Sequence, residues 1–186
     1  MENFKTRARA LYGDHAESLL KFYPAETDAQ AKRSAQDLAG DRFIGYSTWK
    51  WLEMQLKTGK APVYRYRFEQ TLPLAPDAPA EAEAAAPHAS EIEFVFQVLS
   101  SRKLPWRPED RKVSDLMGSY WSNFAKTGDP NGEGLPRWPA YSQDGYQVLH
   151  LRADPRVAPD EHRARYQFLD GVGSLFQGKQ AARPAR

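Results

Sequence analysis

No cysteine occurs among the 186 residues, which excludes disulfides, thiolate metal sites and a cysteine nucleophile. No apolar run approaches the ~18 residues that a membrane span needs. The opening Met1-Glu2-Asn3-Phe4-Lys5 lacks the apolar core of a signal peptide, and none of these absences fixes a compartment. A dominant charge is missing too, since 26 Lys and Arg are set against 24 Asp and Glu. The two signs are mixed along the chain and no basic stripe interleaves with aromatics, so nucleic acid is not an expected partner. His15, His150 and His162 show no metal-ligand spacing and read as surface residues.

What is present argues for a packed protein. Hydrophobic residues make up 41%, with nine Phe, nine Tyr and five Trp, too many for a disordered chain. The length suits one domain or a piece of a larger one, and a domain of this size buries roughly 70% of its unfolded surface.

Phe4, Ala8, Leu11 and Tyr12 share one helical face that Gly13 ends. Asp14 with Glu17 reads as a capping box for a short helix ending before Pro24. Thr27 to Leu38 is a third helix, closed by Gly40. Asp41 reads as the N-cap of a longer helix anchored by Phe43, Ile44, Trp51, Leu52 and Leu56 and stopped by Gly59. Val63 to Phe68 alternates aromatic and basic residues, the best strand in the chain. Residues 71–87, rich in Pro, Ala and Glu, read as an exposed flexible loop.

Ser114 is expected to cap a helix running to Lys126, with Gly128 as its terminator. Tyr146 to Leu151 is expected as a last strand and Pro159 to Leu169 as a last helix, with a polar tail over 178–186. This order suits one end of an open α/β sheet, and two strands leave such a sheet incomplete.

Two stretches carry a resemblance. The first is Ala86-Pro87-His88-Ala89-Ser90-Glu91-Ile92-Glu93-Phe94-Val95-Phe96. The second runs from Tyr120-Trp121-Ser122-Asn123-Phe124-Ala125-Lys126-Thr127-Gly128-Asp129-Pro130-Asn131-Gly132 to Trp138-Pro139-Ala140-Tyr141. Together they resemble the C-terminal third of the type B carboxylesterases, the α/β-hydrolase group that includes the cholinesterases. The resemblance covers residues 1–177 and is strongest from Val63 to Leu151. It departs at Ala85, where the family often has Gly, and at Pro87, directly before the His.

The resemblance implies the C-terminal segment of an α/β-hydrolase fold, acting on an ester substrate with no cofactor and no metal. It makes His88 the triad histidine. An imidazole titrates near neutral pH, so it can take a proton from a hydroxyl nucleophile and pass it to the leaving group. In this fold the triad runs Ser, then acid, then His, with the His on a loop after a late strand.

The other triad parts are missing. No Gly-x-Ser-x-Gly elbow occurs, since Gly45-Tyr46-Ser47-Thr48-Trp49 ends in Trp and Ser174 lies after His88. No His-Gly-Gly-Gly-like oxyanion loop and no Asp-Glu-Gly-like acid motif are found. Glu91, three residues after His88, reads as a helix start in preference to a replacement acid. The chain is therefore expected to begin just after the acid and to be inactive alone. Three readings stand: a piece of a complete esterase, with the alternatives of one half of a split esterase whose N-terminal portion is a separate chain, and a non-catalytic cholinesterase-like binding module.

Overall fold

The computed structural model describes residues 1–173, so Ser174 and the 178–186 tail lie outside the described residues. The chain divides into two compact units. One comprises Met1–Ala61 with residues 161–173, and the other Pro62–Asp160.

The first unit is helical. Helix α1 (Glu2–Tyr12) buries Ala8 and Tyr12, one turn apart, while Leu11 is left exposed. The expected Asp14–Glu17 capping box does not form. Asp14 lies in a 3₁₀ turn, Gly13–His15, that feeds α2 (Ala16–Phe22) with backbone bonds, and no side chain caps it. Helix α3 (Asp28–Gly40) begins one residue later than expected, because Thr27 is its N-cap, with Oγ1 accepting from the Gln30 amide at 3.2 Å.

Gly40 does not end that helix. The backbone passes through a π turn, Asp41–Gly45, straight into α4 (Tyr46–Thr58). Asp41 is therefore not an N-cap but an inward-facing acid inside a continuous helix. A π turn holds an extra residue, so the inward stripe becomes Asp41, Gly45 and Trp49. Trp49 is buried, whereas the expected anchors Phe43 and Trp51 are 74% and 75% exposed and Ile44 is also exposed.

Helix α7 (Arg163–Val172) adds Tyr166, Leu169 and Val172 to the core of Tyr12, Leu19, Tyr23 and Trp49. It starts later than expected because Pro159 belongs to a strand. Lys50 and the Tyr46 hydroxyl both reach Asp170, at 2.8 and 2.7 Å, and Arg163 pairs with Glu53, so α4 and α7 are fastened along their length.

The second unit carries a three-stranded sheet in the order β1 (Tyr66–Phe68), β2 (Gln147–Leu151), β3 (Arg156–Pro159). Strands β1 and β2 are parallel with Tyr66 beside Leu149 and Phe68 beside Leu151. Strand β3 is antiparallel to β2. The expected last strand is thus followed by another. Between β1 and β2 the chain makes the crossover that a parallel pair requires, through α5 (Ile92–Val95) and α6 (Pro108–Thr127).

Helix α6 begins six residues before Ser114. Pro108 occupies its first turn, and Asp110 caps the Arg107 amide at 2.9 Å. Ser114 is instead a buried mid-helix residue whose hydroxyl donates to the Phe94 carbonyl at 2.9 Å. Gly128 ends α6 in the left-handed conformation, φ 78°. Val113, Met117 and Tyr120 of α6 pack with Leu149, Leu151, Phe94 and Trp138.

Residues 71–87 have no helix or strand and are mostly exposed, although Leu72 is buried and its amide donates to the Ala85 carbonyl at 2.9 Å. The architecture is helices with a small α/β sheet. No helix among the described residues is long and apolar enough to cross a membrane.

Candidate active site

His88 stands at a turn, and its surroundings explain why it is presented there. Pro87 fixes its own φ and restricts the residue before it. The Pro87 carbonyl accepts the Ser90 amide at 3.1 Å, closing a four-residue turn with His88 and Ala89 at its centre. Ala89 has φ 65°, a left-handed conformation uncommon outside glycine. Ser90 is 2% exposed and Phe94 wholly buried, so the chain just after the turn is anchored in the core. His88 itself is exposed.

Glu91 is the N-cap of α5, and its carbonyl accepts the amides of Phe94 and Val95 at 3.1 and 3.0 Å. Its side chain lines an open hollow of about 580 Å³ with Tyr66, Phe96, Gln97 and Trp121. Burial, and after it the Glu91 carboxylate, pushes the Tyr66 phenol up to about 12. At pH 7 Tyr66 is therefore a donor that holds its proton beside an acid. The far end of α5 is a Schellman motif, with Val98 N–H on the Glu93 carbonyl at 2.9 Å and Gln97 N–H on the Phe94 carbonyl at 3.2 Å. Its left-handed residue is Gln97, φ 56°, in place of the usual glycine.

The remaining candidates lie apart from this turn in chain and in role. Ser47 is exposed on α4 of the helical unit, donating to the Ile44 carbonyl at 3.0 Å, a polar helix position with no strand leading into it. Asp41, in the same unit, accepts from Tyr23 at 2.8 Å, Tyr166 at 3.1 Å and Arg165 Nη2 at 3.1 Å, with the Arg165 guanidinium also ion-paired to it at 2.9 Å. Burial and then the Asp41 carboxylate push the Tyr23 phenol upward. Asp41 is a structural hub. Among the described residues, His88 is the one sequence-derived triad candidate on a presented turn.

His150 is a correction. Expected at the surface, it is 2% exposed on β2, with Nδ1 2.7 Å from Glu69 Oε1. Register places it between Arg67 and Arg156, on the sheet face opposite the aromatic core. The near-continuous apolar run Val148-Leu149-His150-Leu151, without polar alternation, was the signal available: a strand in the middle of a sheet buries both faces. His15 is exposed as expected, while His162 is half-buried with its ring edge-on to Tyr166.

Comparison with known proteins places the chain. The model of the "Carboxylesterase family" matches residues 3–169. "Carboxylesterase 5A" of Canis lupus familiaris is 38% identical over 171 residues, covering 88% of this chain and 29% of that protein. "Carboxylesterase 3" of Pongo abelii is 33% identical, covering 80% of this chain and 27% of that one. "Acetylcholinesterase" of Gallus gallus is 33% identical over 70% of this chain and 17% of its own. The chain spans less than a third of the length of these curated relatives.

Proposed function

Because the chain belongs to the carboxylesterase family, we propose that it is the C-terminal portion of a serine carboxylic-ester hydrolase of the α/β-hydrolase fold, with His88 as the triad histidine. The observation that carries this reading is His88 on the turn closed by Pro87 and Ser90, inside the family-matched span.

In the complete enzyme a serine hydroxyl attacks the ester carbonyl while His88 takes its proton. The imidazolium then protonates the departing alcohol, leaving an acyl-serine. Water, deprotonated by the same imidazole, hydrolyses that ester and restores the serine. The serine, the acid and the oxyanion donors come from the portion of the family domain that has no counterpart in this sequence. The whole of 1–177 is assigned to that one domain, with 71–87 as a flexible loop.

Alone, the chain should not catalyse triad-dependent hydrolysis, because a base without nucleophile or oxyanion donors has nothing to activate. The test is p-nitrophenyl butyrate hydrolysis by the pure chain, and by the chain mixed with an N-terminal family fragment carrying serine and acid. The expected result is no saturable activity alone, activity in the mixture, and loss of that activity with His88→Ala. Saturable activity of the chain alone that His88→Ala abolishes overturns the assignment of the serine to another segment. A fully active His88→Ala mixture overturns the role of His88. An inactive mixture in which the two parts nevertheless bind favours a non-catalytic binding module.

A further inference from the structure

Ala89 is the feature of the His88 turn that local preference does not explain. The turn runs Pro87-His88-Ala89-Ser90 and is closed by the Ser90 amide on the Pro87 carbonyl at 3.1 Å. Its third residue has φ 65°. That conformation places the Ala Cβ against the following carbonyl, so glycine is the default there and asparagine the tolerated alternative. The Ala89 carbonyl accepts the Ile92 amide at 3.4 Å, which ties the strained residue to the start of α5. Ser90 and Phe94 are buried on one side, and Pro87, with its restricted φ, lies on the other. His88 is thus held between a ring-locked residue and one whose backbone has a single narrow well at positive φ.

We propose that Ala89 is a positioning residue, whose left-handed backbone holds His88 in one orientation and which glycine cannot replace without loosening it. The proposal rests on the assignment of His88 as the triad histidine. A general base acts only within hydrogen-bond reach of the proton it takes, and a wandering ring loses most of the advantage of proximity. Glycine would occupy this φ without strain, yet it populates several other regions about as readily. Strain kept at such a position costs stability, and the surrounding core must determine it.

The test compares the full chain with Ala89→Gly and Ala89→Asn by backbone amide relaxation, reading order parameters at His88, Ala89 and Ser90, with thermal unfolding alongside. In the parent chain the His88 amide is expected near 0.85, the rigid range, falling below about 0.6 in Ala89→Gly. Ala89→Asn, which tolerates positive φ while keeping a Cβ, is expected to restore the rigid value. Both variants should keep Tm within about 4 °C of the parent, since relief of strain and added chain freedom oppose each other. An unchanged His88 order parameter in Ala89→Gly overturns the proposal. Equal loosening in Ala89→Asn also overturns it, because packing of the alanine methyl would then be the cause. None of these readings depends on hydrolysis, so an active His88→Ala mixture would sink the esterase role and leave the backbone result standing.

Discussion

A buried carboxylate is tolerable only when its lone pairs are filled, and Asp41 shows how. Two phenols and a guanidinium meet it, and a Cβ on Gly45 would stand 2.9 Å from its Oδ1 and 3.0 Å from the Tyr166 hydroxyl. Asp41→Ala is expected to cost about 3–5 kcal/mol in urea unfolding, since it leaves Arg165 half-buried without its charge partner. In a double-mutant cycle, Arg165→Ala should cost much less in the Asp41→Ala background than in the parent. His88→Ala, at an exposed turn, should change stability by no more than about 0.5 kcal/mol. That contrast would separate a residue kept for chemistry from one kept for folding.

Asp110 makes a pH prediction. Burial pushes its carboxyl upward, but hydrogen bonds from the Arg107 side chain and amide, and from Gln70 at 2.7 Å, outweigh burial and hold it below the usual carboxylate range. A depressed folded value means that stabilisation is complete above the unfolded value near 4 and is lost as pH falls through the folded one. Asp110→Asn should therefore lower the urea midpoint at pH 7 and flatten the fall in stability below about pH 4. An unchanged acid limb would contradict this. The role of Asp41 was not legible beforehand, because its partner Arg165 lies 124 residues away and an acid after a glycine is locally indistinguishable from an N-cap.

At the scale of the elements, local punctuation succeeded where the backbone required it. Gly128 caps as its chemistry demands, and the alternating aromatic and basic residues do form a strand, though over Tyr66–Phe68 only and not from Val63. It failed where a tertiary demand overrode it. The π turn carried the helix past Gly40 and moved the buried stripe from Trp51 to Trp49, and Ser114 was drawn into the middle of α6 by the Phe94 carbonyl. The turn holding His88 was legible as a motif, but not the left-handed backbone of Ala89, since alanine carries no such signal.

The two ends of α5 both use a non-glycine left-handed residue, and at the second the side chain compensates. Gln97 lies over Gly118 of α6, where an added Cβ would be 2.7 Å from the Gln97 Cδ, and its amide reaches Asp115 at 3.2 Å. Gly118→Ala meets only the exposed, flexible Gln97 side chain and gains helix propensity, so it should change stability by no more than about 1 kcal/mol. A larger loss in urea unfolding would show that Gln97 is held firmly on this seat.

At the scale of the whole molecule, the sheet-bearing unit is one continuous stretch, while the helical unit is assembled from both ends of the described chain. Tyr166, Leu169 and Val172 of α7 belong to the same core as Tyr12 and Leu19 of the first two helices. Ending the chain at Asp160 should therefore melt the helical core and leave the 62–160 amide spectrum dispersed. Loss of dispersion throughout would mean that the units do not fold separately. There is also a consequence in time. On the ribosome, the first four helices emerge well before α7, whereas the sheet unit is complete as soon as β3 is made. Synthesis at about 5–20 residues per second leaves the early helices waiting for several seconds without their partner. The helical unit, begun before the sheet unit, is thus completed after it, and the chaperone-exposed interval falls on Tyr12, Leu19 and Trp49, not on the turn that carries His88.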